Sequence, residues 1–338
     1  MNKSITYIVI VNWKGWQDTL ECLESLFRMN GSFKVIVCDN GSDDDSLARI
    51  REWAEGDREA KPTLSAMSAY SSPAVAKPLD WRQIDRTQAG NLSSGSCPQL
   101  LLVDCQENLG FAGGNNVGLQ IALGQPDMRW AWLLNNDTVV DKSALQALVQ
   151  KATDSHDTGI VGSTIRYYHH PDRVQAFGGA RYFPMIGRAM HIGRIRSTYR
   201  TVDEAGIERQ LDYVMGASMF VSRQFLETVG LMTEDYFLYY EEIDWALRSK
   251  HRYRMRYAQD SFVFHKSGAS AGSSNWSSGR SALSDYYLVK SRLTFTRRFY
   301  PHYILSVKGY LLVEAMIRVL NGQQERASKI WSMVLNRT

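Results

Sequence analysis

Four apolar runs in the first 140 residues each stop abruptly at polar residues, and a helix-like stretch follows each of them. YIVIV (7–11) ends at Asn12, and FKVIVC ends at Asp39. QLLLVDC (99–105) leads into ENLGFAGGNN, and WAWLL (130–134) ends at Asn135, Asn136 and Asp137. Strand–helix alternation of this kind predicts a mostly parallel sheet with helices on both faces. Continuous apolar runs suit strands buried on both sides. Ligands of open α/β sheets bind outside the carboxyl ends of strands, so the polar terminators mark the expected site.

A chain of 338 residues has room for one large α/β domain with additions or for two average domains. Its net charge of +4 is too small to argue for nucleic acid. The charge is uneven, however. From Asp285 onward nine Lys and Arg face three acids, a formal excess of six. Cys22, Cys38, Cys97 and Cys105 show neither a CxxC pair nor zinc spacing, which favours reduced thiols and a cytoplasmic setting. The N-terminus enters a strand without a cleavable signal pattern, and no uncharged stretch reaches transmembrane length.

Leu20, Leu23, Leu26 and Phe27 follow the first strand at helical spacing, with Asp18 and Glu21 resembling a capping box. The second strand enters a helix expected to have an acidic first turn, and a further helix is expected from about Ser143. Residues 56–98, rich in Ser, Ala, Pro, Lys and Gln, read as an insertion, mobile or only locally folded. After 160 come shorter strands with turns, then YFLYYEEIDWALRSK, a loop entering a helix, and a strand ending at His265.

The strand ends carry a consistent chemistry. Trp13 is placed to stack on a base or simply to pack, while Val11 and Asn12 precede it. Asp39 is placed to accept from a base or ribose, though DNGSDDDS also suits a turn and helix cap. Asn108 and Asn116 flank Gly110, Gly113 and Gly114, where absent side chains allow close backbone approach. Asp137 suits a hard cation carrying a phosphorylated ligand. Glu241, Glu242 and Asp244 crowd the start of a helix behind an aromatic run. Acids there complement the helix dipole, and an apolar wall beside one raises its pKa toward general-base duty. His265, at a strand end, is a metal-ligand candidate.

Taken together, VNWKG, VCDNGSDDDS, ENLGFAGGNN, LLNNDT, GASMF, YYEEIDWALR and HKSG resemble a family 2 inverting glycosyltransferase of the GT-A fold, nearest the rhamnosyltransferase type of bacterial polysaccharide assembly. That resemblance implies a GT-A catalytic domain over 1–283, with a nucleotide-binding half (1–140) and an acceptor-binding half (141–283). Residues 284–338 would form a basic amphipathic helical extension. It also implies that Trp13 and Asp39 contact the base, that Asn108 and Asn116 lie near the ribose, and that Asn135, Asn136 and Asp137 occupy the DxD position. Asp137 and His265 would hold Mg²⁺ or Mn²⁺, and Glu242 would be the catalytic base where the family usually has Asp. Gly216, Ala217 and Ser218 would line the sugar pocket. The first DxD position is Asn135 here, which leaves the metal fewer charged ligands.

The expected reaction moves a sugar, with a lean toward L-rhamnose, from a nucleotide-diphosphate donor to a saccharide or lipid-linked acceptor. Two other classes fit parts of the pattern: a sugar nucleotidyltransferase, whose Gly-rich basic phosphate loop VNWKGW does not provide, and a nucleotide-sugar binding protein without catalysis. The basic, aromatic C-terminal segment suits an anionic membrane face, packing on the catalytic domain, or a homodimer contact.

Overall fold

The computed structural model describes residues 4–91, 97–197, 202–266 and 281–335. Among them, thirteen strands and eleven α-helices alternate as the sequence pattern requires. The first half runs β1 (Ile5–Asn12), α1 (Trp16–Leu26), β2 (Phe33–Asp39), α2 (Ser46–Glu55), α3 (Ser68–Ser71), β3 (Trp81–Asp85), β4 (Leu100–Asp104), α4 (Gly110–Leu123), β5 (Met128–Asn135) and β6 (Thr138–Val140). Next come α5 (Ala144–Thr153), β7 (Thr158–Tyr167), β8 (His170–Phe177), β9 (Gly179–Phe183), β10 (Arg188–His191) and α6 (Glu204–Glu208). Then follow β11 (Tyr213–Val214), β12 (Ser218–Ser222), α7 (Arg223–Val229), α8 (Glu241–Ser249) and β13 (Arg254–His265). The chain finishes with α9 (Ala282–Phe299), α10 (Ile304–Leu320) and α11 (Gln324–Leu335).

The main sheet has the order β3-β4-β2-β1-β5-β12-β7-β13-β6, with β8 on β7. Its first five strands are mutually parallel, whereas β12 runs antiparallel to both β5 and β7. A small sheet, β10-β9-β11, stands apart. This is the mixed, mostly parallel α/β arrangement of the GT-A fold. Apolar side chains alternate to two cores. One, around Val9, Leu101 and Leu133, packs under α4, α7 and α8. The other, around Ile8, Val37 and Trp132, packs under α1, α2 and α5.

Register aligns the strand ends. Asn12 pairs with Asp39, Asp39 with Asp104, Asp104 with Asp85, and Val11 with Asn135. The strand order departs in opposite directions from β1, toward β2 on one side and β5 on the other. That is the switch point where α/β sheets bind ligands.

Several local expectations are corrected. Asp18 and Glu21 do not cap α1, whose N-cap is Gly15 with no side-chain bond. Both carboxylates instead bind the Lys266 ammonium, each at 2.6 Å. The acids after β2 precede α2 rather than filling its first turn; Asp44 accepts from the Ser46 backbone N–H at 3.0 Å. The stretch 56–98 is not merely an insertion, because its β3 pairs parallel with β4 and extends the sheet. The Gly-rich run is helical, since α4 begins at Gly110. Its missing side chains serve packing, since a Cβ on Gly114 would stand 3.0 Å from Val11 Cγ1.

The C-terminal helices enclose a small core of Val289, Leu293, Val307, Leu311, Ala315 and Ile330. α9 also grips the segment leading into α8. Ser291 Oγ donates to the Leu238 carbonyl at 2.9 Å, and Phe237 stacks on Tyr287 with ring centres 4.4 Å apart. Leu305, Val313, Met316, Ile317 and Leu320 of α10 remain exposed. No helix among the described residues is long and apolar enough to cross a membrane.

Candidate active site

The centre of the site is built by β5 and β13. Antiparallel pairing of β13 with β6 sets His265 opposite Thr138. This brings His265 Nε2 to 3.1 Å from Asp137 Oδ1, with both side chains almost fully buried. Asn135 Nδ2 lies 3.4 Å from the same ring nitrogen, and Gln175 Oε1 on β8 lies 2.9 Å from Nδ1. The Lys266 backbone N–H donates to the Asp137 carbonyl at 2.9 Å, fixing the two strand ends together. The Ser267 and Gly268 end of HKSG lies outside the described residues.

Toward β2, Asp39 Oδ1 accepts from Asn12 Nδ2 at 2.6 Å and from Ser42 Oγ at 2.7 Å, and Oδ2 accepts from the Ser42 backbone at 3.1 Å. Burial raises its pKa, and these donors offset part of the rise. Asn12 is spoken for: its Oδ1 accepts from Thr19 Oγ1 at 2.7 Å. Trp13 is half-buried, with the Lys14 ammonium 5.4 Å from its ring centre. Asn108 is exposed, and its Oδ1 accepts from Asn40 Nδ2 and the Gly110 N–H, each at 3.0 Å. Gly110 itself has φ +71 and approaches the Phe237 backbone so closely that a Cβ there would stand 2.3 Å from the Phe237 carbonyl oxygen. Only glycine meets both demands.

Five of the expected site residues are engaged in packing or anchoring contacts. Asn116 is committed to α4's anchoring: Nδ2 donates to the Met232 carbonyl at 2.9 Å and to Glu234 at 2.8 Å. Asn136 donates to Thr19 Oγ1 at 3.1 Å and to the Gly15 carbonyl, holding the β1–α1 turn. Ser218 is fully buried, accepting from Trp132 Nε1 at 2.9 Å. Asp244 is buried against Arg248 at 2.7 Å and accepts from the Tyr236 hydroxyl at 3.1 Å. Gly113 lies inside α4, where a Cβ would meet Leu109 at 2.7 Å.

Glu241 and Glu242 open α8 after two consecutive left-handed residues, Tyr239 (φ 70) and Tyr240 (φ 78). Such backbone is costly for side-chain-bearing residues and persists only where the surroundings impose it. Here α9 does so: the Tyr239 hydroxyl bonds Ser284 Oγ, and the Tyr240 ring packs 5.2 Å from Phe295. Glu242 is half-buried and lies against Gly216, where a Cβ would stand 2.4 Å from its Oε1. Burial raises the Glu242 pKa, partly offset by backbone N–H groups including that of Gly216. Glu241 is raised further, first by burial and then by the adjacent Glu242, and its Oε2 has no hydrogen-bond partner among the described residues. The neighbouring segment joins this acid pair to the end of β5, since Ala217 O accepts from the Asn135 N–H at 3.2 Å.

A cleft of about 510 Å³ opens elsewhere, at the β3 edge, lined by Arg51, Trp81, Arg82, Asp85 and Asp104. It contains neither Asp137 nor Glu242, so the chemistry is assigned from side-chain convergence rather than cavity size. Gln175 had no marker in the sequence and becomes a site neighbour through long-range pairing, whereas Ser42 reaches Asp39 from three residues away and Lys266 directly follows His265.

A family model described as "Glycosyltransferase like family 2" matches residues 95–282. The low-salt glycan biosynthesis hexosyltransferase Agl10 of Haloferax volcanii is 21% identical over 244 residues, covering 72% of this chain and 61% of that protein. This chain therefore spans about three fifths of that relative's length. Among solved structures, the mannosyltransferase PcManGT from Pyrobaculum calidifontis, in complex with GDP-Man and Mn²⁺, superposes with a TM-score of 0.51 at 12% identity, covering 98% of this chain and 86% of that one. S. aureus TarS 1–349 gives a TM-score of 0.45 at 11% identity, covering 94% and 73%. With more than half its length matched by the family model and its sheet built as a GT-A domain, this chain belongs to the glycosyltransferase-like family 2.

Proposed function

We propose that the protein is an inverting, metal-dependent glycosyltransferase that moves a hexosyl group from a nucleotide-diphosphate sugar to a glycan acceptor. The observation that carries this reading is the convergence of Asp137, His265 and the Gly216-backed Glu242 around one strand-end segment. Asp137 and His265 present a buried oxygen–nitrogen donor pair, which suits Mg²⁺ or Mn²⁺. No cluster of three or more His, Cys, Asp or Glu suited to a metal occurs among the described residues, so donor phosphates would complete the coordination. A cation bound there supplies Lewis-acid stabilisation of the departing diphosphate.

The chain's own residues account for the remainder. Glu242, with its pKa raised by burial, takes the proton of an acceptor hydroxyl. That oxygen bonds to the anomeric carbon as the carbon–oxygen bond to the diphosphate breaks, from the opposite face, so configuration inverts. The β1–β2 end, with Trp13 and Asp39, receives the nucleotide. Orientation of donor and acceptor in one cleft supplies a large part of the rate enhancement.

The mannosyltransferase complex and the hexosyltransferase relative support a nucleotide sugar and a divalent metal. The motif likeness makes dTDP-L-rhamnose the first donor to test, with GDP-mannose the second. The exposed apolar face of α10, in a basic segment, supports a lipid-linked acceptor presented at the inner face of a membrane. Co-sedimentation with anionic liposomes tests that part, and no pelleting at low salt removes it.

The decisive experiment incubates the protein with a donor panel and Mn²⁺ and measures nucleoside diphosphate release. Transfer with inversion supports the reading, pyrophosphate release indicates a nucleotidyltransferase, and binding without turnover indicates a binding protein. Asp137→Ala is expected to weaken Mn²⁺-dependent donor binding at least about tenfold, or 1.4 kcal/mol. Unchanged affinity by calorimetry would remove the metal assignment.

A further inference from the structure

We infer that Gln175 is a positioning residue that holds His265 in the tautomer protonated at Nδ1, so that the Nε2 lone pair is aimed at Asp137. The inference rests on the metal site proposed above, and its test separates the two.

The chemistry is forced by what each atom is able to do. Gln175 Oε1 is a carbonyl oxygen and only accepts, so the 2.9 Å contact to His265 Nδ1 requires that nitrogen to carry a proton. In the neutral ring Nε2 is then the lone-pair nitrogen. It faces Asp137 Oδ1 at 3.1 Å, with Asn135 Nδ2 3.4 Å away on another side. Without a cation, a proton on Nε2 joins the ring to this buried carboxylate, and a bound cation would take that proton's place between the two atoms. The opposite tautomer would turn a proton toward the carboxylate and remove the ring as a ligand.

Gln175 is well suited to fix this choice. It is 7% exposed and sits on β8, which reaches the main sheet only through β7, next to β13. Ninety residues of sequence separate it from His265. The ring is therefore oriented from a strand other than β5, β6 and β13, and from a residue other than Asp137. Partners of this kind around ligating histidines commonly change metal affinity by about 10- to 100-fold when removed.

The experiment uses the full chain without metal and then with Mn²⁺. Histidine labelled with ¹⁵N reports the tautomer by long-range ¹⁵N–¹H correlation, with the His265 signal assigned by its loss in His265→Ala. In the wild type, Nδ1 is expected to carry a proton, whether or not Nε2 does. In Gln175→Leu the ring is expected to shift to a mixture or to the Nε2-protonated form. Gln175→Glu, which keeps an accepting oxygen, is expected to restore the wild-type pattern. Mn²⁺ affinity, read by electron paramagnetic resonance, is expected to fall about 10- to 100-fold in the Leu variant and to recover in the Glu variant. If Leu at 175 prevents folding, Gln175→Met serves as the variant without an accepting oxygen.

An unchanged tautomer in the folded Leu or Met variant overturns the inference, whatever the metal does. A wild type whose Nδ1 carries no proton overturns it as well. If Asp137→Ala leaves Mn²⁺ binding intact, the metal reading fails instead, and the tautomer measurement still decides the role of Gln175.

Discussion

Two carboxylate sites on the same sheet edge are built in opposite ways. Asp39, at the end of β2, is buried but receives three hydrogen bonds, from Asn12 and twice from Ser42. The Glu241–Glu242 pair, at the start of α8, joins a buried to a half-buried acid, follows a strained backbone turn and includes an oxygen, Glu241 Oε2, without a hydrogen-bond partner among the described residues. Burial raises the proton affinity at both sites, but at Asp39 hydrogen bonds to the charged form offset part of the rise and fix the carboxylate, which suits a binding group. Desolvation with a like-charged neighbour raises proton affinity, which suits a group that must take a proton. The difference teaches that hydrogen bonds fix the Asp39 carboxylate, while the acid pair is held in a high-energy setting, as the roles proposed for them require.

The sharpest way to break this contrast is Glu242→Gln. Transfer is expected to fall about 10²- to 10⁴-fold while donor-nucleotide affinity stays within about twofold. Wild-type turnover in that variant would remove Glu242 from the chemistry. In the wild type, the base acts only when ionised and burial raises its pKa. The kcat/KM profile should therefore climb with pH through an acidic limb above the ~4.3 of a free glutamate. A limb at or below that value would show that the site does not desolvate the group.

Gly216→Ala sharpens the comparison next. The added Cβ would fall 2.4 Å from Glu242 Oε1, so the carboxylate must move. A displacement near 1 Å is expected to cost about 100-fold in kcat, with thermal unfolding little changed. Retained kcat would mean that Glu242's position is not critical.

On the donor side, Asp39→Ala leaves the Asn12 amide and the Ser42 donors unmatched in a buried site. It is expected to lower unfolding free energy by about 2 kcal/mol in urea titration and to weaken nucleotide binding without altering the pH limb. A shifted limb would show that the two sites are coupled.

The smallest effect concerns Glu241. Its folded-state pKa is raised, so its contribution to stability is full below the unfolded pKa and is lost as pH rises through the folded value. Glu241→Gln is therefore expected to gain about 1 kcal/mol over wild type at pH 8 and little at pH 4. Equal stability of the two proteins at pH 8 would contradict a strained acid pair.

The strand–helix alternation, the polar strand ends and the placement of Asp137, His265 and Glu242 were legible before any coordinates. Each follows from a local rule: apolar runs form buried strands, and strands stop where polar residues begin. Asn116, Asn136, Ser218 and Asp244 were not legible in the same way. They share the residue types and the neighbourhoods of ligand-binding groups, yet each is consumed by a partner 4 to 121 residues away. Asp18 and Glu21 carry the same lesson, since a capping spacing was overridden by the Lys266 ammonium some 245 positions later.

By itself, then, the sequence determined the layered α/β architecture and the edge that carries the polar strand ends, because periodicity and strand termination are encoded within a dozen residues. Only the tertiary structure decided which polar groups are free to act. That depends on hydrogen-bond saturation, and a buried donor or acceptor is satisfied by whatever the packed sheet brings beside it. Gln175 beside His265, Gly216 beside Glu242 and α9 beneath the Tyr239–Tyr240 turn are contacts of that kind.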